Sequence, residues 1–321
     1  MTSVPPPSEP PARPDVSYRY LPPVPPGSAP SEPPAPPDPP AGRWLALPLW
    51  VPFAAMLAAV IAILVFGAIA TGIYVLIEPD ADAATTPDGL LIGLTVVQDA
   101  LLVGAAVFAV AAILGRATPA MFGLRRVKLG PAVGWILVAY GGYWLASVIL
   151  LAIFGEPPEQ DLVRDLKETQ DTAVLIGFGV LTCLVAPIAE EFFFRGFLFS
   201  VLASRLGVAV AAVLTGAIFG IIHLPGSPLL GVAVLVAFGA LLCVVYWKTG
   251  SLIPCMALHA LNNAVSFGYT KSLGAAGIIA LIAGSVALVT LIGLALAGRG
   301  DQGAAVSSTN SSSTPGIPPA V

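Results

Sequence analysis

Glu190, Glu191 and Arg195 lie within six residues of one another in a segment, 187 to 200, whose other members are almost all apolar, in a chain that is only 10% charged. An ionisable side chain at membrane depth costs several kcal/mol or more, so such groups are rare and functional by default. On a helix, Glu191 and Arg195 are four apart and share a face, which suits an ion pair. Glu190 is turned from Glu191 by about 100° and cannot use that arginine in the same way. The spacing therefore predicts a division of labour. Glu191 is the structural partner of Arg195, and Glu190 is left free to act as a general base. A second reading of the same three residues is an ion cluster that stabilises a bundle without activity.

The chain has two histidines, and both fall in apolar stretches. His223 ends the run Phe219-Gly220-Ile221-Ile222-His223, and His259 opens the run His259-Ala260-Leu261-Asn262-Asn263. Histidine is the side chain whose proton affinity lies nearest neutral pH, and in an apolar span it needs a polar partner. His259 and Asn263 are four apart and project from one helical face. Side by side, an imidazole and an amide offer two donors for a developing oxyanion, or equally an interhelical hydrogen-bonded pair. Asn262 points elsewhere and reads as a packing residue. Phe219, one turn before His223, packs against its neighbours and could hold the ring in place. Cys255, one turn before His259, reads as a buried thiol rather than a metal ligand, and Cys183 and Cys243 as small apolar residues.

These residues need a membrane scaffold to position them. With 57% hydrophobic residues, a mean hydropathy of +0.90 and several apolar runs of 18 residues or more, the chain reads as an all-α, polytopic membrane bundle. Eight spans are expected: 51 to 77, 89 to 114, 131 to 154, 172 to 204, 207 to 223, 229 to 247, 252 to 267 and 275 to 297. Trp44 and Trp50 read as interfacial anchors of the first. The fourth is longer than a bilayer needs and should tilt or bend near Pro187. The segment from Glu156 to Asp171 is polar, with charges of both signs, and reads as an external loop or short surface helix.

Residues 1 to 42 carry more than half of the chain's 32 prolines and read as an extended, disordered arm that could dock an adaptor. Residues 43 to 298 form the membrane domain, with a core at about 172 to 268, and residues 299 to 321 read as a disordered tail. The net charge of −4 predicts no nucleic-acid partner. Arg116, Arg125, Arg126, Lys128, Arg205, Lys248 and Arg299 fall on one side of the expected topology, and acidic loops fall on the other. By the positive-inside rule both termini are cytoplasmic, which suits a multi-pass protein of the plasma membrane.

Glu190 to Arg195, Phe219 to His223, and His259 to Asn263 resemble, in order and spacing, the EExxxR, FxxxH and HxxxN motifs of the CAAX protease and bacteriocin-processing family, also called the Abi or type II CAAX prenyl endopeptidase family. The resemblance covers about 80 residues, from Pro187 to Asn263. It implies an intramembrane endopeptidase in which Glu190, helped by His223, activates a water while His259 and Asn263 stabilise the oxyanion. Glu191 and Arg195 would fix the geometry. No serine or cysteine nucleophile is required.

Family members are often labelled metalloproteases, and a Zn²⁺ site could be drawn from Glu190, His223 and His259. There is no HExxH pair, so metal-free activation by the glutamate is slightly favoured. The partners expected are the bilayer and a peptide or membrane-protein substrate, with a C-terminal CAAX-like peptide as one option. A proton-coupled transporter using the same Glu and His residues is the alternative class, although no repeated halves are visible. A non-catalytic immunity or scaffold protein is a third.

Overall fold

The structure, a computed structural model, describes residues 41 to 78 and 87 to 311. Nearly all of the expected proline-rich arm lies outside them, as do residues 79 to 86 and the last ten residues. Helices α1 (Val51–Ile77), α2 (Asp88–Leu114), α3 (Leu129–Phe154), α4 (Asp161–Glu168), α5 (Thr172–Leu206), α6 (Val208–Ile221), α7 (Leu229–Thr249), α8 (Leu252–Thr270) and α9 (Ala275–Ser311) follow in chain order. No strand occurs among the described residues. The fold is all-α, as composition implies.

Local chemistry sets the helix ends. Pro52 stands in the first turn of α1 and Pro87 directly precedes α2, which stops at Gly115 in the left-handed region. Asp171 caps α5 by accepting from the Ala173 and Val174 amides at 2.7 and 3.3 Å. Ser251 caps α8 through the Ile253 amide. The polar segment before α5 contains the short surface helix α4, whose Leu166 is buried. Helix α9 continues to Ser311, beyond the tail boundary expected at Arg299, and no proline interrupts it before its end.

Among the described residues, six helices are long and apolar enough to cross a membrane: α1, α2, α3, α5, α7 and the first part of α9. The other two expected spans form helices of a different kind. Helix α6 has 14 residues, so at about 1.5 Å per residue it falls short of a hydrocarbon core roughly 30 Å thick. It ends at Ile221, leaving His223 just outside the helix rather than within a span. Helix α8 is long enough but less apolar, and every residue from Leu252 to Ala260 is buried. A helix shielded by its neighbours can carry polar groups that a lipid-facing one cannot.

Helix α5 runs unbroken past Pro187. Around that proline it contains two wide π-helical stretches, Leu181–Val185 and Phe192–Phe199. The first precedes Pro187, and widening there relieves the clash and the lost donor that proline brings to a helix. The second holds Phe193, Phe194, Phe197 and Leu198, all fully buried. Ser200 Oγ donates to the Arg195 carbonyl at 3.0 Å within this stretch.

One anchor is corrected. Trp44 is only 1% exposed and packs edge-on against Phe122, with their ring centroids 6.0 Å apart, while Trp50 alone stands outside. Arg205 secures that corner, donating to the Leu45 and Leu47 carbonyls at 2.6 and 3.2 Å. The short segment between Trp44 and α1 is folded back onto α5, which is why the indole meets the core and not the interface.

Candidate active site

Helix α5 delivers the acids, α8 the imidazole of His259, and α6 the pair Phe219 and His223. Close backbone approach lets α6 and α7 meet. A Cβ on Gly216 would come within 2.6 Å of the Val236 carbonyl oxygen, and one on Gly220 within 2.8 Å of the Val232 oxygen. Small residues at such crossings are how membrane helices pack tightly. Phe219 is consequently pressed into the core beside the acids.

Glu191 and Arg195 are fully buried and paired, Arg195 Nη1 donating to Glu191 Oε1 at 2.9 Å. Arg195 Nη2 donates to the Gly239 carbonyl of α7 at 2.9 Å, and the guanidinium lies 4.7 Å from the Phe219 ring centroid. The ion pair expected from the four-residue spacing is present. The same Glu191 oxygen also receives His259 Nδ1 at 2.8 Å, a link that spacing alone did not suggest.

That second bond fixes the ring. With the Nδ1 proton directed at Glu191, Nε2 is turned to the other side, where Glu190 Oε2 stands 3.9 Å away. This gap exceeds a direct hydrogen bond. Phe219 and Phe238 meet the ring edge-on at centroid separations of 5.9 and 5.6 Å and hold its plane. Glu190 keeps partial exposure, 17% of its side chain, whereas Glu191 has none. The two acids therefore differ in setting: one is enclosed and bonded, the other partly exposed.

His223 borders the same phenylalanine, its ring centroid 5.1 Å from that of Phe219. Its Nδ1 is bonded to the Phe219 carbonyl at 2.7 Å, leaving Nε2 unengaged by the protein. No carboxylate lies within 4 Å of it among the described residues. Asn263 shares the face of α8 with His259, and its amide donates to the Thr182 carbonyl at 2.8 Å, within the first wide stretch of α5. The structure thus gathers Glu190, Glu191, Arg195, His259 and Phe219 tightly, with His223 at the margin and Asn263 tied to the helix wall.

Sequence reasoning passed over Asp99. It is buried in α2, 3% exposed, with Oδ2 lacking any hydrogen-bond partner among the described residues. It is the single acid in an apolar run from Gly89 to Leu114, and that isolation was the available signal.

The three side chains from which a zinc site could be drawn do not assemble. Among the described residues no group of three or more His, Cys, Asp or Glu side chains stands close enough together to hold a metal ion. Glu190 and His259 approach each other, and His223 stands apart. Cys183, Cys243 and Cys255 are free and buried, and Cys255 Sγ donates to the Leu242 carbonyl at 3.5 Å.

A multi-pass membrane bundle with acids, an arginine and an imidazole enclosed among its helices defines the class. Residues 172–265 match the family model described as type II CAAX prenyl endopeptidase Rce1-like, a segment that contains every motif residue from Glu190 to Asn263. Over that segment, less than half of its length, the chain is similar to this family of type II CAAX prenyl endopeptidases. No curated protein and no solved structure matches the chain.

Proposed function

We propose that this protein is an intramembrane endopeptidase in which Glu190 activates a water for attack on a peptide carbonyl. The observation that carries the reading is the setting of His259, with Nδ1 fixed on Glu191 and Nε2 facing Glu190 across 3.9 Å. In the proposed reaction the water oxygen bonds to the carbonyl carbon as Glu190 takes one water proton. Collapse of the tetrahedral intermediate breaks the C–N bond, and the proton held by Glu190 passes to the leaving nitrogen. The other water proton leaves with the new carboxyl group. His259, held through Nδ1 by Glu191, turns Nε2 towards the developing oxyanion. Asn263 would join it by way of its second amide hydrogen, and His223 would orient the water through Nε2. Glu191, Arg195 and Phe219 position these groups.

An apolar cavity of about 320 Å³ bordered by α2, α5 and α8 favours a substrate with a large apolar group. Val103 and Val107 of α2, Phe122, Ile188 and Phe192 of α5, and Met256 of α8 contribute to its wall. A C-terminal CAAX-like peptide is the proposed substrate. Orientation is proposed from charge. Arg125, Arg205 and Lys248 lie at the end of the bundle that carries Trp44, while Asp161 and Asp165 occupy α4, so the first end is assigned to the cytoplasm, with plasma membrane as the site of residence.

The test is cleavage of an internally quenched peptide ending in a prenylated CAAX sequence by the purified full chain, beside Glu190→Gln. Cleavage by the first and at least a ~10³-fold loss in the second is expected, given what a positioned base and water contribute. A Glu190→Gln variant as fast as wild type removes Glu190 as the base. Metal dependence is read in the same assay. Activity kept in protein shown by elemental analysis to be free of metal agrees with the glutamate mechanism, and strict loss on chelation with recovery on adding Zn²⁺ reverses it.

A further inference from the structure

Asp99 has no structural account. A buried carboxylate without hydrogen-bond partners is a cost to the fold, and an apolar side chain of the same size would pack there without it. Its place is nonetheless well defined. Seven residues earlier on α2, Ile92 packs onto Gly177 of α5 so closely that a Cβ there would come within 2.9 Å of Ile92 Cδ1. Four and eight residues later, Val103 and Val107 line the apolar cavity together with Ile188 and Phe192 of α5. Asp99 therefore lies on the stripe of α2 that faces α5. Helix α2 packs against the Ala186–Glu191 stretch of α5, which carries Glu190.

The cations nearby are already engaged, Arg195 by Glu191 and Gly239, and His259 by Glu191. Water is the remaining partner. A buried water needs two to four polar neighbours; Asp99 Oδ2 lacks a partner among the described residues, as do Glu191 Oε2 and Arg195 Nε, and Glu190 Oε2 and His259 Nε2 face each other across 3.9 Å without a direct bond. Hydrolysis inside a bilayer also needs its second reactant in a place from which lipid excludes it.

We propose that Asp99 anchors ordered water beside Glu190, keeping the nucleophile available within the membrane. It is thus a positioning residue, acting on the reaction through the solvent it holds. The inference rests on the endopeptidase reading and adds to it a residue from outside the family-matched segment.

The experiment uses the full chain with the quenched CAAX peptide and compares wild type, Glu190→Gln, Asp99→Leu and Asp99→Asn, with melting temperature recorded for each. Asp99→Leu should melt at or above wild type, since an unpartnered buried acid is replaced by an apolar group. Its kcat should fall about 100-fold with KM nearly unchanged, the pattern of a lost transition-state contribution. Asp99→Asn keeps polar atoms for water and should recover at least about 10-fold of that loss. An Asp99→Leu variant that cleaves at the wild-type rate, melts well below wild type or fails to fold overturns the proposal, as does Asn performing no better than Leu. Undiminished cleavage by Asp99→Leu beside a dead Glu190→Gln removes only the water-anchoring role. Undiminished cleavage by Glu190→Gln removes the base assignment and this inference with it.

Discussion

Helices α1 and α8 are both long enough to span much of a bilayer, yet they are built on opposite terms. Helix α1 is apolar throughout and buries only Val51, Pro52, Ala55 and Ala59, leaving Leu57, Ile61 and Leu64 exposed along its outer side. Helix α8 carries His259, Asn262 and Asn263 and is enclosed over its first half. A lipid-facing helix gains nothing from polar side chains, whereas an enclosed one can hold them if partners are waiting. High hydropathy therefore marks the wall of this protein, and its interruption marks the interior where the chemistry is placed.

Substitutions can break or sharpen that contrast. The largest effect is expected inside. Arg195→Leu strands Glu191 without its cation and should cost about 3–5 kcal/mol, read as a large fall in melting temperature in detergent, while the same change on α1 has no equivalent. Next comes packing. Gly216→Ala places a Cβ 2.6 Å from the Val236 carbonyl oxygen and should destabilise by about 1–3 kcal/mol. Gly67→Ala on α1 meets nothing within 4 Å, and should be neutral or stabilising by about 0.5–1 kcal/mol through helix propensity alone. The smallest effect belongs to Leu64→Ala, 67% exposed, where the side chain trades protein contact for none and the melting temperature should stay near that of wild type. Similar melting losses for Gly216→Ala and Gly67→Ala would erase the distinction between wall and interior.

Much of this was legible in the residues themselves. Helix positions followed from long apolar runs, and the Glu191 to Arg195 pair followed from a spacing of four. What spacing within one helix cannot express is a contact between helices. The bond from His259 to Glu191 joins residues 68 apart, and the bond from Asn263 to Thr182 joins residues 81 apart. Pro187 marked a disturbance of the helix, and its form, a widened stretch at Leu181–Val185, is not something that spacing expresses. Trp44 was misplaced because its composition, an aromatic ring before an apolar run, describes an anchor equally well as a plug. Asp99 was readable as a lone acid in a span, and only the fold shows which neighbour it faces.

Glu191 Oε1 holds both the arginine and the ring nitrogen, so position 191 is a single peg bearing two loads. A redesign that loosens one must loosen the other, and no substitution there can retune the imidazole while leaving the bundle's rigidity alone. Efforts to change reactivity would do better to begin with Phe238 or Phe219, whose rings touch His259 without carrying its proton.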